Sequence, residues 1–249
     1  MEPKTSQRHL FNLTPVTHDT AVLIFSRFAA EEARAKGYQR AVGKKGGLQL
    51  AGGVIGHTIR EARLSGLPIY TFFSDKQTGQ TFGERLANSI DWVYDAGFEN
   101  VIVIGTDCPS LTADTIITAA ARLKQNAAVL GPSPDGGTYL IAMHRSAYCR
   151  NSFLGTSWLT ADVFDHLKRY FKSAGVSFHI LPVHTDIDHW SGLLLWQQKH
   201  ASNCLSLLLT QILAGFLSTN HFSSACRFVL QLRLLKELLR GPPGLLCTF

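Results

Sequence analysis

Asp107 stands at a point of the chain where a carboxylate can do chemistry. It follows residues 101–104, four β-branched apolar residues that predict a strand buried on both faces. Open α/β sheets bind their ligands at the carboxyl ends of such strands. A carboxylate there can hold a divalent cation against a diphosphate, because hard cations take carboxylate and phosphate oxygens as ligands. The alternative is that Asp107 only caps the helix that follows.

A second carboxylate, Asp135, follows another apolar run at residues 127–131 and stands directly before Gly136 and Gly137. Two glycines let the backbone approach a ligand closely, and the carboxylate can accept a hydroxyl hydrogen or act as a base. An ordinary tight turn is the alternative, since Asp-Gly is a common turn signal. The pattern predicts two acid-bearing loops, at Asp107 and Asp135, on the same edge of a sheet.

Asp186 and Asp188 lie two residues apart after a later apolar run. In an extended segment both side chains point to one face, so either could complete a metal site that begins at Asp107. The alternative for Asp188 is capping of the next helix. No spacing among the ten histidines suggests a metal site.

The basic residues that could meet a phosphate are fewer. Arg27 follows the first predicted strand, and Gly83 and Arg85 open a helix whose amino end could bind an anion. An exposed salt bridge is the alternative for Arg85. Lys44 and Lys45 are weaker phosphate candidates. The chain has neither a Gly-x-Gly-x-x-Gly motif nor a P-loop, so nothing favours a dinucleotide or Walker-type site.

The elements that must position these residues alternate along the chain. Apolar runs predict strands at 21–25, 68–73, 101–104, 127–131, 139–143 and 178–182. Helices are predicted at 29–36, at 50–64, near 86–94, after Ser110 or Thr112, after Thr160 and from about 191, whereas the glycines of 37–47 predict a loop. This alternation predicts an α/β fold with a doubly wound, mostly parallel sheet.

Composition sets the limits of the domain and its setting. The 249 residues, 45% of them hydrophobic, predict a polar leader at 1–19, one α/β domain at 20–199 and a Leu-rich helical appendage at 200–249. The appendage could pack on the sheet's flank, join copies in a homo-oligomer or touch a membrane. Five scattered cysteines and a polar start predict a cytoplasmic protein. The net charge of +6 without a basic run suits an anionic small ligand and argues against nucleic acid.

Four segments of the chain stand out by their motifs and spacing: Gln-x-Gly-x-x-Phe-Gly-Glu-Arg at 77–85, Ile-Gly-Thr-Asp-Cys-Pro-Ser-Leu-Thr at 104–112, Leu-Gly-Pro-Ser-Pro-Asp-Gly-Gly-Thr-Tyr-Leu-Ile at 130–141 and Asp-Ile-Asp at 186–188. Together they resemble a bacterial family of glycosyltransferase A-type proteins. The family is described as radical-SAM/selenodomain-associated transferases or arsenosugar-biosynthesis glycosyltransferases, and more distant similarity extends to molybdenum-cofactor and phospholactate nucleotidyltransferases.

The resemblance, over roughly residues 20–198, implies a nucleotide-diphospho-sugar transferase fold. We expect an enzyme that moves a sugar from a nucleotide sugar to a small acceptor with Mg²⁺ or Mn²⁺. One alternative is nucleotidyl transfer from a nucleoside triphosphate, with release of pyrophosphate. Another is a non-catalytic binding protein, because residues 28–36 depart from the family's Pro-Val-Pro-Gly-x-x-Lys-Thr-Arg-Leu segment. The implied site comprises a metal set (Asp107, Asp186, Asp188), a catalytic Asp135 and ligand-binding Arg27, Gly83, Arg85, Thr106, Gly136 and Gly137.

Overall fold

The structure is a computed structural model that describes residues 18–200 and 204–218. Its strands are β1 Thr20–Phe25, β2 Ile69–Phe72, β3 Asn100–Ile104, β4 Ala128–Pro132, β5 Thr138–His144 and β6 Phe178–Ile180. Its α-helices are α1 Ala29–Ala35, α2 Tyr38–Leu64, α3 Phe82–Asp95, α4 Ala113–Leu123, α5 Arg150–Leu154, α6 Val163–Ser173, α7 Trp190–Lys199 and α8 Cys204–Ser218.

The six strands form one sheet in the order β2-β1-β3-β5-β4-β6. β1 pairs in parallel with β2 and β3, and β4 pairs in parallel with β6. Only β5 runs the other way, antiparallel to β3 on one side and to β4 on the other. The mostly parallel sheet is therefore confirmed, and five strands end at the same edge as the β4–β5 turn.

Helices cover both faces of the sheet, as a doubly wound fold requires. In β3, Val101 and Val103 pack into a cluster with α3 and α6, whereas Ile102 and Ile104 pack into a second cluster with α2 and α4. All four residues are buried. The run of apolar residues without polar alternation is explained by this burial on both faces.

The loop predicted for residues 37–47 is wrong. The segment is helical from Tyr38, and the helix kinks at Val42 and Gly43, where Gly43 has a φ of +75°. Tyr38, Val42 and Leu50 are buried in a third apolar cluster shared with α1, α7 and α8. Tertiary packing of this face, rather than helix propensity, overrides the glycines that favour a loop.

Of the helix N-caps predicted at Thr112 and Thr160, the first is confirmed and the second is wrong. Thr112 caps α4 as expected, because its side chain accepts a hydrogen bond from the backbone nitrogen of Thr115 at 3.3 Å. The N-cap predicted at Thr160 is wrong, since α6 begins after Asp162. The Thr160 hydroxyl instead donates to the Ser157 carbonyl at 2.8 Å and so closes a turn before the helix.

The C-terminal segment reaches back to the α/β layers. α8 lies on α2 where Gly53 leaves room, and a Cβ there would lie 3.5 Å from Leu208 and 3.7 Å from Leu209. No helix in residues 18–200 or 204–218 is long and apolar enough to cross a bilayer. The polar leader, apart from its last two residues, and the part of the Leu-rich appendage after residue 218 lie outside the described residues, and the domain boundary at 199/200 stays a prediction.

Candidate functional site

The carboxyl ends of three neighbouring strands are tied together by side chains. The hydroxyls of Ser26, after β1, and Thr106, after β3, lie 2.6 Å apart and are buried. The Gln77 amide donates to the carbonyls of Ser26 at 2.8 Å and Phe72 at 2.9 Å, which joins β1 to β2. Thr106, predicted to bind the nucleotide, therefore uses its hydroxyl within this brace.

Asp107 follows the brace on the β3 side. Its side chain is 38% exposed, and α4 takes its cap from Thr112, so the carboxylate does not serve as a helix cap. The backbone carbonyl of Asp107 accepts a hydrogen bond from the Ile187 nitrogen at 2.7 Å. A Cβ on Gly105 would lie 2.6 Å from Asp107 Oδ1, so the glycine lets the carboxylate fold back over the strand end. The chain thus presents Asp107 as an available carboxylate at the ligand edge.

Asp186 is the most electrostatically perturbed acid of this edge. Its Oδ2 accepts a short hydrogen bond from the Ser133 hydroxyl, and its Oδ1 is buried without a partner. Burial, followed by the negative charge of Asp107, raises the pKa of Asp186 to about 7, against the lowering effect of the Ser133 hydroxyl. A buried carboxylate oxygen without a donor is costly, so this site favours a proton or a cation.

Asp188 belongs to the same segment but is more exposed. Burial raises the pKa of Asp188, the nearby Lys36 ammonium lowers it, and the charges of Asp107 and Asp135 raise it again. His189 occupies the N-cap position of α7 without a side-chain hydrogen bond, so Asp188 does not cap that helix. Asp188 is therefore coupled electrostatically to Asp107 and Asp135, because their negative charges raise its pKa.

The turn between β4 and β5 carries Asp135. Its Oδ1 accepts a hydrogen bond from the Gly137 nitrogen at 3.0 Å, and the residue is exposed. Gly136 has a φ of +87°, and a Cβ there would lie 1.8 Å from the Ala161 carbonyl oxygen. The Gly136 carbonyl accepts from the Phe164 nitrogen at 2.9 Å, so the turn is fixed against the start of α6. Asp135 stands at the sheet edge on a rigid support.

The predicted phosphate-binding residues are spread more widely. Arg27 is half exposed and forms an ion pair with Glu32 at 3.4 Å. Gly83 is buried, and a Cβ there would lie 2.6 Å from the Trp158 ring, so this glycine serves packing. The Arg85 guanidinium donates to the Gln80 carbonyl at 3.1 Å. Within residues 18–200, neither Gly83 nor Arg85 shares a hydrogen bond or ion pair with the acidic residues.

Sequence reasoning missed Lys36 and Ser133. The Lys36 ammonium donates to the Ile187 carbonyl at 2.5 Å and lies 3.7 Å from Asp107 Oδ2. The spacing of Glu32 and Lys36, four residues apart, was a visible sign of an ion pair on one helix face. Nothing in the sequence placed that pair beside Asp107, since residues 36 and 107 meet only through the tertiary fold.

The carboxylates at this edge fit a divalent cation as part of its set of ligands, not as the whole set. In the described part of the chain, no three His, Cys, Asp or Glu side chains converge closely enough to hold a metal by themselves. Magnesium is ordinarily bound by one or two carboxylates together with substrate phosphates. The unpartnered Asp186 Oδ1 and the exposed Asp107 carboxylate suit that arrangement. They suit a cation that arrives with an anionic ligand better than one bound alone.

The fold is that of the nucleotide-diphospho-sugar transferases. A structure from Desulfovibrio desulfuricans G20 superposes on this chain with a TM-score of 0.70, at 20% identity over 80% of this chain and 97% of that one. That protein is described provisionally as a nucleotide-diphospho-sugar transferase. At this identity the likeness establishes the fold alone.

At family level, residues 65–160 match the model of a family described as uncharacterized protein conserved in bacteria (DUF2064). A search of curated protein sequences found no significant match.

Two further structures are similar to this chain with TM-scores below 0.5, which are too low to support a conclusion about it. One is 4-diphosphocytidyl-2C-methyl-D-erythritol synthase from Anaerococcus prevotii, with a TM-score of 0.47 at 10% identity over 71% of this chain and 96% of that chain. The other is a mannosyltransferase from Pyrobaculum calidifontis in complex with GDP-mannose and Mn²⁺, with a TM-score of 0.39 at 14% identity over 92% and 84%.

Proposed function

We propose that the chain is a transferase that takes a nucleotide sugar and moves its sugar to a small acceptor. The observation that carries the proposal is the unpartnered carboxylate oxygen of Asp186 beside Asp107 at the carboxyl edge of the sheet. This edge is where the fold class binds ligands. A carboxylate oxygen that is buried without a donor costs stability, and a cation that arrives with a diphosphate would remove that cost.

Each residue of the proposed site then has a task. Asp107 and Asp186, with Asp188 beside them, hold Mg²⁺ or Mn²⁺. When bound, the cation supplies positive charge against the leaving diphosphate. Asp135 orients the acceptor hydroxyl and takes its proton, since one of its oxygens already accepts from the Gly137 nitrogen and the residue is exposed.

The nucleotide's phosphates need donors as well. The half-exposed Arg27 can leave its ion pair with Glu32 for a phosphate oxygen. The backbone nitrogens of Gly136 and Gly137 already donate, to the Ser133 carbonyl at 3.2 Å and to Asp135 Oδ1 at 3.0 Å, so these glycines shape the turn that carries Asp135. Nucleotidyl transfer would use the same residues, and the products distinguish the two reactions: a free nucleoside diphosphate for sugar transfer, pyrophosphate for nucleotidyl transfer.

A second candidate function is ligand binding without catalysis. It is favoured by residues 28–36, which depart from the segment that would hold the nucleotide in the resembled family and lie mostly in α1. A protein of this kind would keep the acidic edge but bind nucleotides weakly. Separately, a homo-oligomer contact through the C-terminal helices stays a prediction, consistent with the exposure of Leu207 and Leu208 on α8.

Calorimetric titration of the purified protein with UDP, GDP and their sugar conjugates tests the proposal. Each titration is run with Mn²⁺ and again with EDTA. We expect one diphosphate to bind only when Mn²⁺ is present. If a folded protein binds none of them under either condition, the transferase proposal is wrong and the binding protein without a working nucleotide site replaces it.

A further inference from the structure

Lys36 is a largely buried cation to which the proposed function gives no task. It follows the last residue of α1, and its side chain is 11% exposed. Its ammonium meets three oxygens from three parts of the chain: the Ile187 carbonyl at 2.5 Å, Glu32 Oε2 at 3.6 Å and Asp107 Oδ2 at 3.7 Å. Lysine is seldom buried unless it is paired, so this placement calls for a reason.

The position of Lys36 is fixed at the backbone too. Its carbonyl accepts a hydrogen bond from the nitrogen of Trp190, the first residue of α7, at 3.1 Å. The ammonium and the carbonyl of one residue thus hold the segment that contains Asp186 and Asp188 against the end of α1. Two independent hydrogen bonds, one from the ammonium and one to the backbone carbonyl, therefore fix Lys36 beside Asp107.

The charges around Lys36 show what the ammonium does. Glu32 and Asp107 lie within ion-pair range, and the positive charge of Lys36 lowers the pKa of Asp188. Across residues 18–200 and 204–218, no other lysine or arginine forms an ion pair with Asp107. The Lys36 ammonium is thus the positive charge that offsets Asp107 before any ligand arrives.

We propose that the Lys36 ammonium occupies the position beside Asp107 that a divalent cation would need. Metal binding then displaces this ammonium. This inference rests on the proposed function, because it assumes that Asp107 is a metal ligand. A divalent ion alone must then compete with an ammonium held by three oxygens. A diphosphate supplies new anionic oxygens for the displaced ammonium, so metal and diphosphate bind cooperatively. Lys36 is a positioning residue whose role is to couple the two.

Lys36→Met tests the competition directly, with Lys172→Met on α6 as a matched control, since Lys172 is exposed and lies on another helix. The readout is Mn²⁺ binding without nucleotide, measured by the loss of free-ion electron paramagnetic resonance signal. We expect Lys36→Met to bind Mn²⁺ about 10-fold more tightly than the wild-type chain, because a competing unit charge is gone. Lys172→Met should bind as the wild type does.

A measurement on the wild-type chain covers the case in which Lys36→Met does not fold. Amine acylation followed by mass spectrometry reports how accessible each lysine is. Addition of Mn²⁺ alone should increase the labelling of Lys36 several-fold and leave that of Lys172 unchanged. Labelling of Lys36 that ignores Mn²⁺ while Mn²⁺ demonstrably binds would overturn the inference.

The outcomes separate the two proposals. Equal Mn²⁺ affinity in the wild type, Lys36→Met and Lys172→Met overturns the role of Lys36 but leaves the metal site in place. Absence of Mn²⁺ binding in all three, with and without UDP, overturns the metal site and the inference together. Tighter binding by Lys36→Met, together with a smaller effect of UDP on Mn²⁺ affinity, supports both.

Discussion

The two edges of the sheet each hold a buried polar atom without a partner, but they differ in charge. At the carboxyl edge the atom is Asp186 Oδ1, and at the amino edge it is Asn100 Oδ1. The amino edge has a pocket of about 480 Å³, lined by residues such as Asn100, Ile117 and Leu123. This pocket makes the amino edge the competing candidate for a binding site.

The comparison teaches that unbalanced charge, rather than cavity volume, marks the candidate site. At the amino edge Glu99 pairs with Arg145 at 3.3 Å, and Asp19 accepts from the Thr20 hydroxyl at 2.8 Å. The unpartnered atom there belongs to a neutral amide. At the carboxyl edge the unpartnered atom belongs to an ionisable carboxyl group that lies among further carboxylates, and a proton or a cation can relieve this state.

Removing one carboxylate from each edge should produce the largest contrast. We expect Asp107→Asn to weaken Mn²⁺-dependent binding of a nucleoside diphosphate by at least about 100-fold, because a direct ligand to the cation is lost. Asp19→Asn, at the amino edge, should leave that binding unchanged. Calorimetry with Mn²⁺ and UDP or GDP measures both variants. If Asp107→Asn binds the diphosphate as the wild type does, the assignment of the site to the carboxyl edge is wrong.

A second prediction concerns the support of Asp135. Gly136→Ala forces a side chain into a φ of +87° and to within 1.8 Å of a backbone oxygen, so we expect a loss of about 3 kcal/mol or more in the free energy of unfolding. Gly175→Ala is the matched control, since Gly175 has a φ of +66° but nothing within 4 Å of its Cβ position, and it should cost about 1 kcal/mol. Urea unfolding compares them, and equal losses would show that the turn is not held by α6.

The third prediction follows from the raised pKa of Asp186. A carboxyl whose pKa is about 7 when folded and 3.8 otherwise adds stability below pH 3.8 and loses that contribution as the pH rises through 7. Without metal, Asp186→Asn should therefore melt higher than the wild type at pH 8.5 and lose this advantage steadily as the pH falls from 7 towards 4. A gain of about 1 kcal/mol corresponds to about 2–4 °C. Identical pH profiles from melting scans would contradict the burial of this charge.

The smallest effect is expected at the amino edge. Asn100→Leu replaces a buried amide that lacks one partner, and we expect it to raise the free energy of unfolding by about 1 kcal/mol or less. Metal-dependent diphosphate binding should be unaffected. Chemical unfolding and calorimetry give both values. A binding defect in this variant would mean that the two edges are coupled and that the contrast between them is wrong.

Much of the fold could be predicted from local sequence, since β3 and β4 are short apolar runs that end in turns. The reversed direction of β5 could not, because apolar residues such as Leu140 and Ala142 fit either direction of a buried strand. The helical form of 38–47 depended on packing against α7 and α8. At the site, the strand ends placed Asp107 and Asp135, whereas the burial of Asp186 under Ser133 arises only from contacts between distant segments.

The position of β5 has a consequence for the order in which the site comes into being. β4 and β5 are joined by a turn of a few residues, so they can pair early, whereas β6 joins β4 only after α5 and α6 have been traversed. Asp135 is carried by the early hairpin, and Asp186 follows the last strand. During synthesis the acidic edge is therefore completed only when the chain beyond β6 has emerged, and a chain stopped before that point has the turn of Asp135 but lacks Asp186.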